Sequence, residues 1–255
     1  MERRRRGTYP FDTATFRLES PMNPLALHET YLDLTTPHVA DALVRLGIPV
    51  RVAPPSLRPL WAGTHLVGRA LPARHYGSVD VFLEALDRAQ PGDVLVVDNN
   101  GRQDEACVGD LIALEARDAR LAGIVIWGLH RDTSELGDIR LPVFSEGATP
   151  VGPQRLDPQE SDALTSARVG DHIVAADDFV LADDDGVVFV PLDRAEEIAE
   201  LAASIRTAER HQAALVNQGR SLREQLRFAE YLAARHERDI TFRQFLRGIG
   251  GAIEE

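Results

Sequence analysis

One cysteine in 255 residues, Cys107, excludes an internal disulfide framework and a metal cage built from thiolates alone. Positive charge is also scarce, with 28 Lys+Arg against 40 Asp+Glu and a formal net charge of -12. Nucleic-acid binding draws on many phosphate-neutralising cations, so a broad nucleic-acid surface is disfavoured. Metal ions, small anions in a local positive site and protein partners stay open. No apolar run approaches the roughly 20 residues of a membrane helix. The basic start MERRRRGTYP lacks the hydrophobic segment of a secretory signal. A soluble, cytoplasmic protein is the expectation. The chain has no GxGxxG opening a helix, no GxxxxGKS/T, no HExxH and no GxSxG. Nicotinamide, P-loop nucleotide, classical zinc and serine-elbow chemistry therefore have no positive support.

What is present is enough apolar material, 44 %, for a substantial core. Residues 1–24 read as an irregular basic segment. Its Arg3–Arg6 run suits an acidic partner or RNA, or is a tail with no structural role. The rest predicts one α/β domain over 25–220 and a helical arm over 221–255. Thr36-Pro37 followed by HVADALVRLG predicts a capped helix closed by Gly47. A strand is expected over 64–70 and a helix over 78–89. Strands at 93–98 and 124–128 flank a helix over 108–123, and a further strand follows at 141–144. The first two strands are apolar on both faces, as buried parallel strands are. Their loops, 99–107 and the one after Gly128, then meet at neighbouring carboxyl ends, where open α/β sheets bind ligands. Short β elements follow near 172–176, 179–182 and 187–190. A long helix starts at Asp193, and helices over 221–239 and 241–249 complete the chain.

The two juxtaposed loops hold Asp98, Asp104, Glu105, Asp110, Arg131, Asp132 and Glu135. An arginine beside an aspartate at a strand end can clamp a carboxylate while the acid holds a divalent metal. Free backbone N–H groups at the helix start near 107–109 would receive an anionic group. The plain alternative is an Arg131–Asp132 turn pair, with Asp110 capping a helix.

The stretches PGDVLVVDNNG (91–101), VGDLIALEARDARLAGIVIWGLHRD (108–132), LPVFSEGATP (141–150) and ADDDGVVFVP (182–191) resemble the RraA-like family. That group includes class II 4-hydroxy-4-methyl-2-oxoglutarate aldolases and regulators of ribonuclease E activity. The family spacing of an aspartate, twenty residues and Arg-Asp is met by Asp110, Arg131 and Asp132. The resemblance implies a swivelling α/β/α (ββα) sandwich, here with a C-terminal helical extension, assembled as trimers or hexamers. It implies Mg²⁺ or Mn²⁺ on Asp132, with Asp110 holding a metal-linked water. It further implies Arg131 on the pyruvoyl part of a small 2-oxo acid and the amides of Leu111 and Ile112 on its carboxylate. His130, beside Arg131, is a candidate substrate contact. A neighbouring subunit is expected to supply an acid, with Glu197, Glu200 and Glu209 as candidates. The implied activity is pyruvate-forming aldol cleavage, with oxaloacetate decarboxylation as a side reaction. The alternatives are a non-catalytic regulatory binding protein and a lyase for another hydroxy or sugar acid.

Other conspicuous residues have plainer readings. Asp183, Asp184 and Asp185 before Gly186 fit a turn better than a calcium loop. Cys107 reads as a small buried filler, Trp61 and Trp127 as core anchors, and His65, His75 and His172 as dispersed.

Overall fold

The computed structural model describes residues 24–249. The Arg3–Arg6 run and the rest of segment 1–24 lie outside the described residues, apart from Pro24, which opens the first helix.

Helices α1 (Pro24–Leu32) and α2 (Thr36–Arg45) come first. Short strands β1 (Arg51–Val52) and β2 (Arg58–Pro59) cross the proline-rich stretch, followed by β3 (Leu66–Arg74) and α3 (Asp80–Asp87). The central run is β4 (Val94–Asp98), β5 (Ala106–Val108), α4 (Asp110–Asp118), β6 (Gly123–Trp127), β7 (Leu129–His130), α5 (Thr133–Ile139) and β8 (Val143–Ser145). Strands β9 (Ser166–Val169), β10 (His172–Ala175), β11 (Asp178–Asp183) and β12 (Gly186–Pro191) precede the long helix α6 (Ala195–Asn217). Helices α7 (Leu222–Gln225), α8 (Phe228–Glu237) and α9 (Phe242–Ile249) form the arm.

Eight strands make one mixed sheet in the order β1-β12-β11-β3-β4-β6-β8-β2. The pairs β3–β4, β4–β6 and β6–β8 are parallel, and the outer pairs are antiparallel. Period-two alternation sends successive side chains to opposite faces. Leu95, Val97, Ile124 and Ile126 pack with α3, α4 and α5 residues such as Phe82, Ala113 and Leu136. Phe179, Leu181, Val188 and Val190 pack with α1, α2 and α6 through Tyr31, Val39 and Ile198. The opposite faces of both halves, including Val96, Val125, Val180 and Phe189, share a third core with Ala167, Val169 and Val174 of the β9–β10 hairpin. The sheet therefore curls around one inner core and carries a helical layer outside each half.

The expected helix over 108–123 is shorter. Residues 106–108 pair as a strand with β7, and the helix occupies only Asp110–Asp118. The expected helix over 221–239 is broken, because Arg227 adopts a left-handed φ of 50° between α7 and α8. In the arm, Phe228, Tyr231, Phe242 and Phe245 form their own aromatic cluster. Trp61 and Trp127 are only partly buried, and each lies under an arginine, Arg140 and Arg168 respectively. Asp183–Asp185 do form the β11–β12 turn, with Asp183 opposite Gly186.

Candidate active site

Strand β5 lies parallel to β7, with Ala106 opposite Leu129 and Val108 opposite His130. This short ladder carries the ends of both loops to the same place. The Arg131 amide closes it by donating to the Val108 carbonyl at 3.0 Å. Immediately beyond, β5 runs through Gly109 into α4, and β7 runs through Arg131 and Asp132 into α5.

Asp132 takes a left-handed φ of 58°. Asp is among the side chains that tolerate this region, and such a conformation persists where its surroundings hold it. Its carbonyl starts α5 by accepting from Leu136 N–H at 2.9 Å, but its carboxylate does not cap that helix. Asp132 Oδ2 instead lies 3.4 Å from the Asp110 amide and 3.4 Å from Arg131 Nε. It faces the start of α4, where free N–H groups and the helix dipole favour negative charge.

Gly109 makes this approach possible. A Cβ there would collide with Asp132 Oδ2 and lie 3.2 Å from Arg131 Cγ. Gly152 leaves similar room on the other side, since its Cβ would lie 2.8 Å from Arg131 Nη1. Arg131 and Asp132 open into a cleft of about 360 Å³, also lined by Thr133, Ala148, Thr149 and Pro150.

Of the acids in the two loops, Asp132 meets Arg131 through its carboxylate and Asp110 through the Asp110 backbone amide. Asp98 and Glu105 instead enter buried polar networks, Asp104 pairs with Arg102 at 2.6 Å, and Glu135 is exposed. The Leu111 amide, 2.8 Å from Asp110 Oδ1, and the Ile112 amide belong to the first turn of α4. The Leu111 side chain is exposed, whereas that of Ile112 is buried.

His130 is placed differently from its expected role at the substrate. It is 3 % exposed, with Nδ1 2.7 Å from Ser145 Oγ and Nε2 3.0 Å from Thr133 Oγ1. Burial lowers its pKa. Both ring nitrogens are thus committed to protein hydroxyls, and its influence on the cleft passes through Thr133.

Glu197, Glu200 and Glu209 lie on α6. Glu197 pairs with Arg194 and Glu209 with His38, while Glu200 is exposed. Cys107 is buried, and that burial raises its thiol pKa.

Among the described residues no group of three or more His, Cys, Asp or Glu is placed to hold a metal. The two carboxylates, Asp110 and Asp132, are hard oxygen donors. They fit Mg²⁺ or Mn²⁺, since Mg²⁺ keeps several waters and needs only one or two protein carboxylates.

The RraA-like family, described as Aldolase/RraA, matches residues 36–189. This chain belongs to the RraA-like family. The matched span contains β3 through most of β12, and thus the whole Asp110–Arg131–Asp132 constellation. Protein DlpA of Legionella pneumophila is 28 % identical over 201 residues, covering 75 % of this chain and 32 % of DlpA. The chain thus spans about a third of that relative's length. An Aromatoleum aromaticum protein provisionally named 4-hydroxy-4-methyl-2-oxoglutarate aldolase is 29 % identical, over 54 % of this chain and 86 % of its own. The crystal structure of Streptomyces coelicolor RraAS2, titled an unusual member of the RNase ES inhibitor RraA family, superposes with a TM-score of 0.64. It is 27 % identical, over 74 % of this RraA-like chain and 97 % of RraAS2.

Gly109, Gly152, Thr133 and Thr149 were not singled out from sequence. Only Gly109 had a usable signal, its place immediately before Asp110 in the VGD segment.

Proposed function

We propose that this RraA-like protein is a divalent-metal-dependent class II aldolase that cleaves a 4-hydroxy-2-oxo acid to pyruvate and a second carbonyl compound. The observation that carries the reading is the Asp132 carboxylate held against the α4 N-terminus beside Arg131, in space that Gly109 leaves open. The provisional aldolase names of relatives support the same reaction class.

Mg²⁺ or Mn²⁺ on Asp132, with Asp110 nearby, would supply Lewis-acid stabilisation of the enolate charge. Arg131 adds a fixed cation where that charge develops, in a cleft whose geometry is preset. The Ile112 amide, and the Leu111 amide once it leaves Asp110 Oδ1, receive the substrate carboxylate at the helix start. Asp110 accepts the proton of the 4-hydroxyl through a water. As that proton leaves, the C3–C4 bond breaks and its electron pair moves into the enolate of pyruvate. The same proton returns to C3 and completes the product. Oxaloacetate decarboxylation would pass through the same enolate. His130 acts by holding Thr133 in place rather than by touching substrate. A trimer or hexamer, with an acid from α6 of a neighbour, completes the proposed assembly.

Pyruvate release coupled to lactate dehydrogenase tests this reading, using 4-hydroxy-4-methyl-2-oxoglutarate and oxaloacetate with Mg²⁺, Mn²⁺ or excess EDTA. Metal-dependent pyruvate that Asp132→Ala abolishes without loss of fold is the expected result. Turnover that survives EDTA, or an Asp132→Ala variant as active as the parent, overturns it. The similarity to RraAS2 favours a second reading, a regulatory binding protein. Capture of a ribonuclease by a folded, metal-loaded sample without turnover on either compound would select it.

A further inference from the structure

We propose that the cavity at the carboxyl ends of β3 and β4 is a second small-molecule site, built for a small hydroxycarboxylate. It measures about 280 Å³ and shares no lining residue with the Arg131–Asp132 cleft.

His75 lines the cavity while being only 5 % exposed. Its ring is fixed by stacking on Phe82, with centroids 5.2 Å apart and planes 7° from parallel. Its Nδ1 lies 2.9 Å from Asn99 Oδ1. That oxygen also accepts from Arg155 Nη2 at 3.1 Å, so Nδ1 must be the proton donor of the pair. In the neutral ring, which burial favours, Nε2 carries the lone pair. It has no partner among the described residues. A donor brought by a molecule in the cavity would pair with it.

The open valences at the rim are of the opposite kind. Arg74 and Arg102 both line the cavity. Arg74 engages Glu160 and Asp162 through Nη1 and lies 3.8 Å from Asp98 through Nε. Arg102 engages Asp104 through Nη2, while its Nε lies 3.4 Å from Glu105 and is buried without a hydrogen-bond partner among the described residues. This leaves Arg74 Nη2 and Arg102 Nη1 without a protein partner among the described residues. Arg155 has no such spare edge, being spent on Glu105, Asp157, Asn99 and the His75 carbonyl.

The lining acids are committed as well. Asp98 accepts from the amides of Asn100 at 2.8 Å and Arg168 at 3.0 Å, while Asp157 and Glu160 hold Arg155 and Arg74. A ligand that uses these open groups brings acceptor oxygens for two guanidinium edges and one donor for a neutral imidazole. A carboxylate next to a hydroxyl supplies both. The cavity lies at the small end of ligand pockets, which suits a molecule of few heavy atoms.

The test is calorimetry of the full chain in EDTA with L-malate and with succinate, which lacks only the hydroxyl. Malate should bind saturably, one per chain, and succinate about tenfold more weakly or worse, because it leaves Nε2 unpaired. Arg102→Gln should weaken malate by about tenfold, whereas Asp132→Asn should not change it. The His75 Nε2 resonance, followed by ¹⁵N NMR, should shift with malate and not with succinate, a readout independent of any variant. Equal affinity for the two acids, absence of saturable binding, or binding lost in Asp132→Asn and kept in Arg102→Gln would each overturn the proposal.

Discussion

Replacing Gly109 with alanine perturbs the candidate site by one methyl group. The backbone there has φ -134° and ψ -164°, an extended conformation open to any residue, so alanine adds no backbone strain. The cost comes from the collision alone. The new Cβ would sit roughly 1 Å too close to Asp132 Oδ2 for carbon–oxygen contact. The Asp132 backbone cannot retreat easily, because Arg131 N–H is tied to Val108 and the Asp132 carbonyl to Leu136 N–H. Its carboxylate must rotate away from the α4 N-terminus instead. Overpacking of this size costs about 1–3 kcal/mol of stability. Misplacing a reacting group by about 1 Å costs roughly a hundredfold in rate. Gly109→Ala should therefore lose about two orders of magnitude in kcat/KM for pyruvate release and bind Mn²⁺ more weakly in calorimetry, while still unfolding cooperatively. Gly137→Ala in α5 is the control, because a Cβ there meets nothing within 4 Å and should be neutral or slightly stabilising. A Gly109→Ala protein with parental kcat/KM and Mn²⁺ affinity would refute the argument that this glycine sets the position of Asp132.

Buried Asp183 accepts from Thr36 N–H at 2.8 Å and Thr36 Oγ1 at 2.7 Å, tying α2 to the β11–β12 turn. Asp183→Ala should lower denaturant stability by about 2–3 kcal/mol and leave activity per folded molecule unchanged. Buried Cys107, its pKa raised, should react with a thiol reagent only at the rate of unfolding, so rapid labelling of the native protein would contradict its burial. Burial depresses the His75 pKa below its ordinary 6.5, so the unfolded chain binds its proton first as pH falls. The His75 contribution to stability is thus flat above that value and declines below it, and His75→Gln should reduce the loss in denaturation midpoint between neutral and mildly acidic pH. An unchanged slope would place the titration elsewhere.

Much of the fold was legible because one periodicity dominates each segment. DVLVVD and GIVIW alternate into two cores and had no helical competitor, so β4 and β6 lie within a residue of their expected bounds. The start of α4 was obscured because Ala106–Val108 is apolar in either state, and only its pairing with β7 makes it a strand. The Arg227 break was invisible for a similar reason, since a left-handed arginine leaves no mark in composition.

For the candidate site, sequence by itself determined the residue types and their order: two aspartates and an arginine at a spacing that spans one helix and one strand. Only tertiary structure decided which of the seven charged loop residues meet. The β5–β7 ladder delivers Arg131 and Asp132 to one cleft and sets the Asp110 amide against Asp132, whereas Glu105 is drawn into an ion pair with Arg155, fifty residues away. It also turned His130 inward, because the hydroxyls that satisfy its ring come from Ser145 and Thr133. Side-chain chemistry is written locally, but the partner of a buried polar group is set by whichever distant segment the core brings beside it.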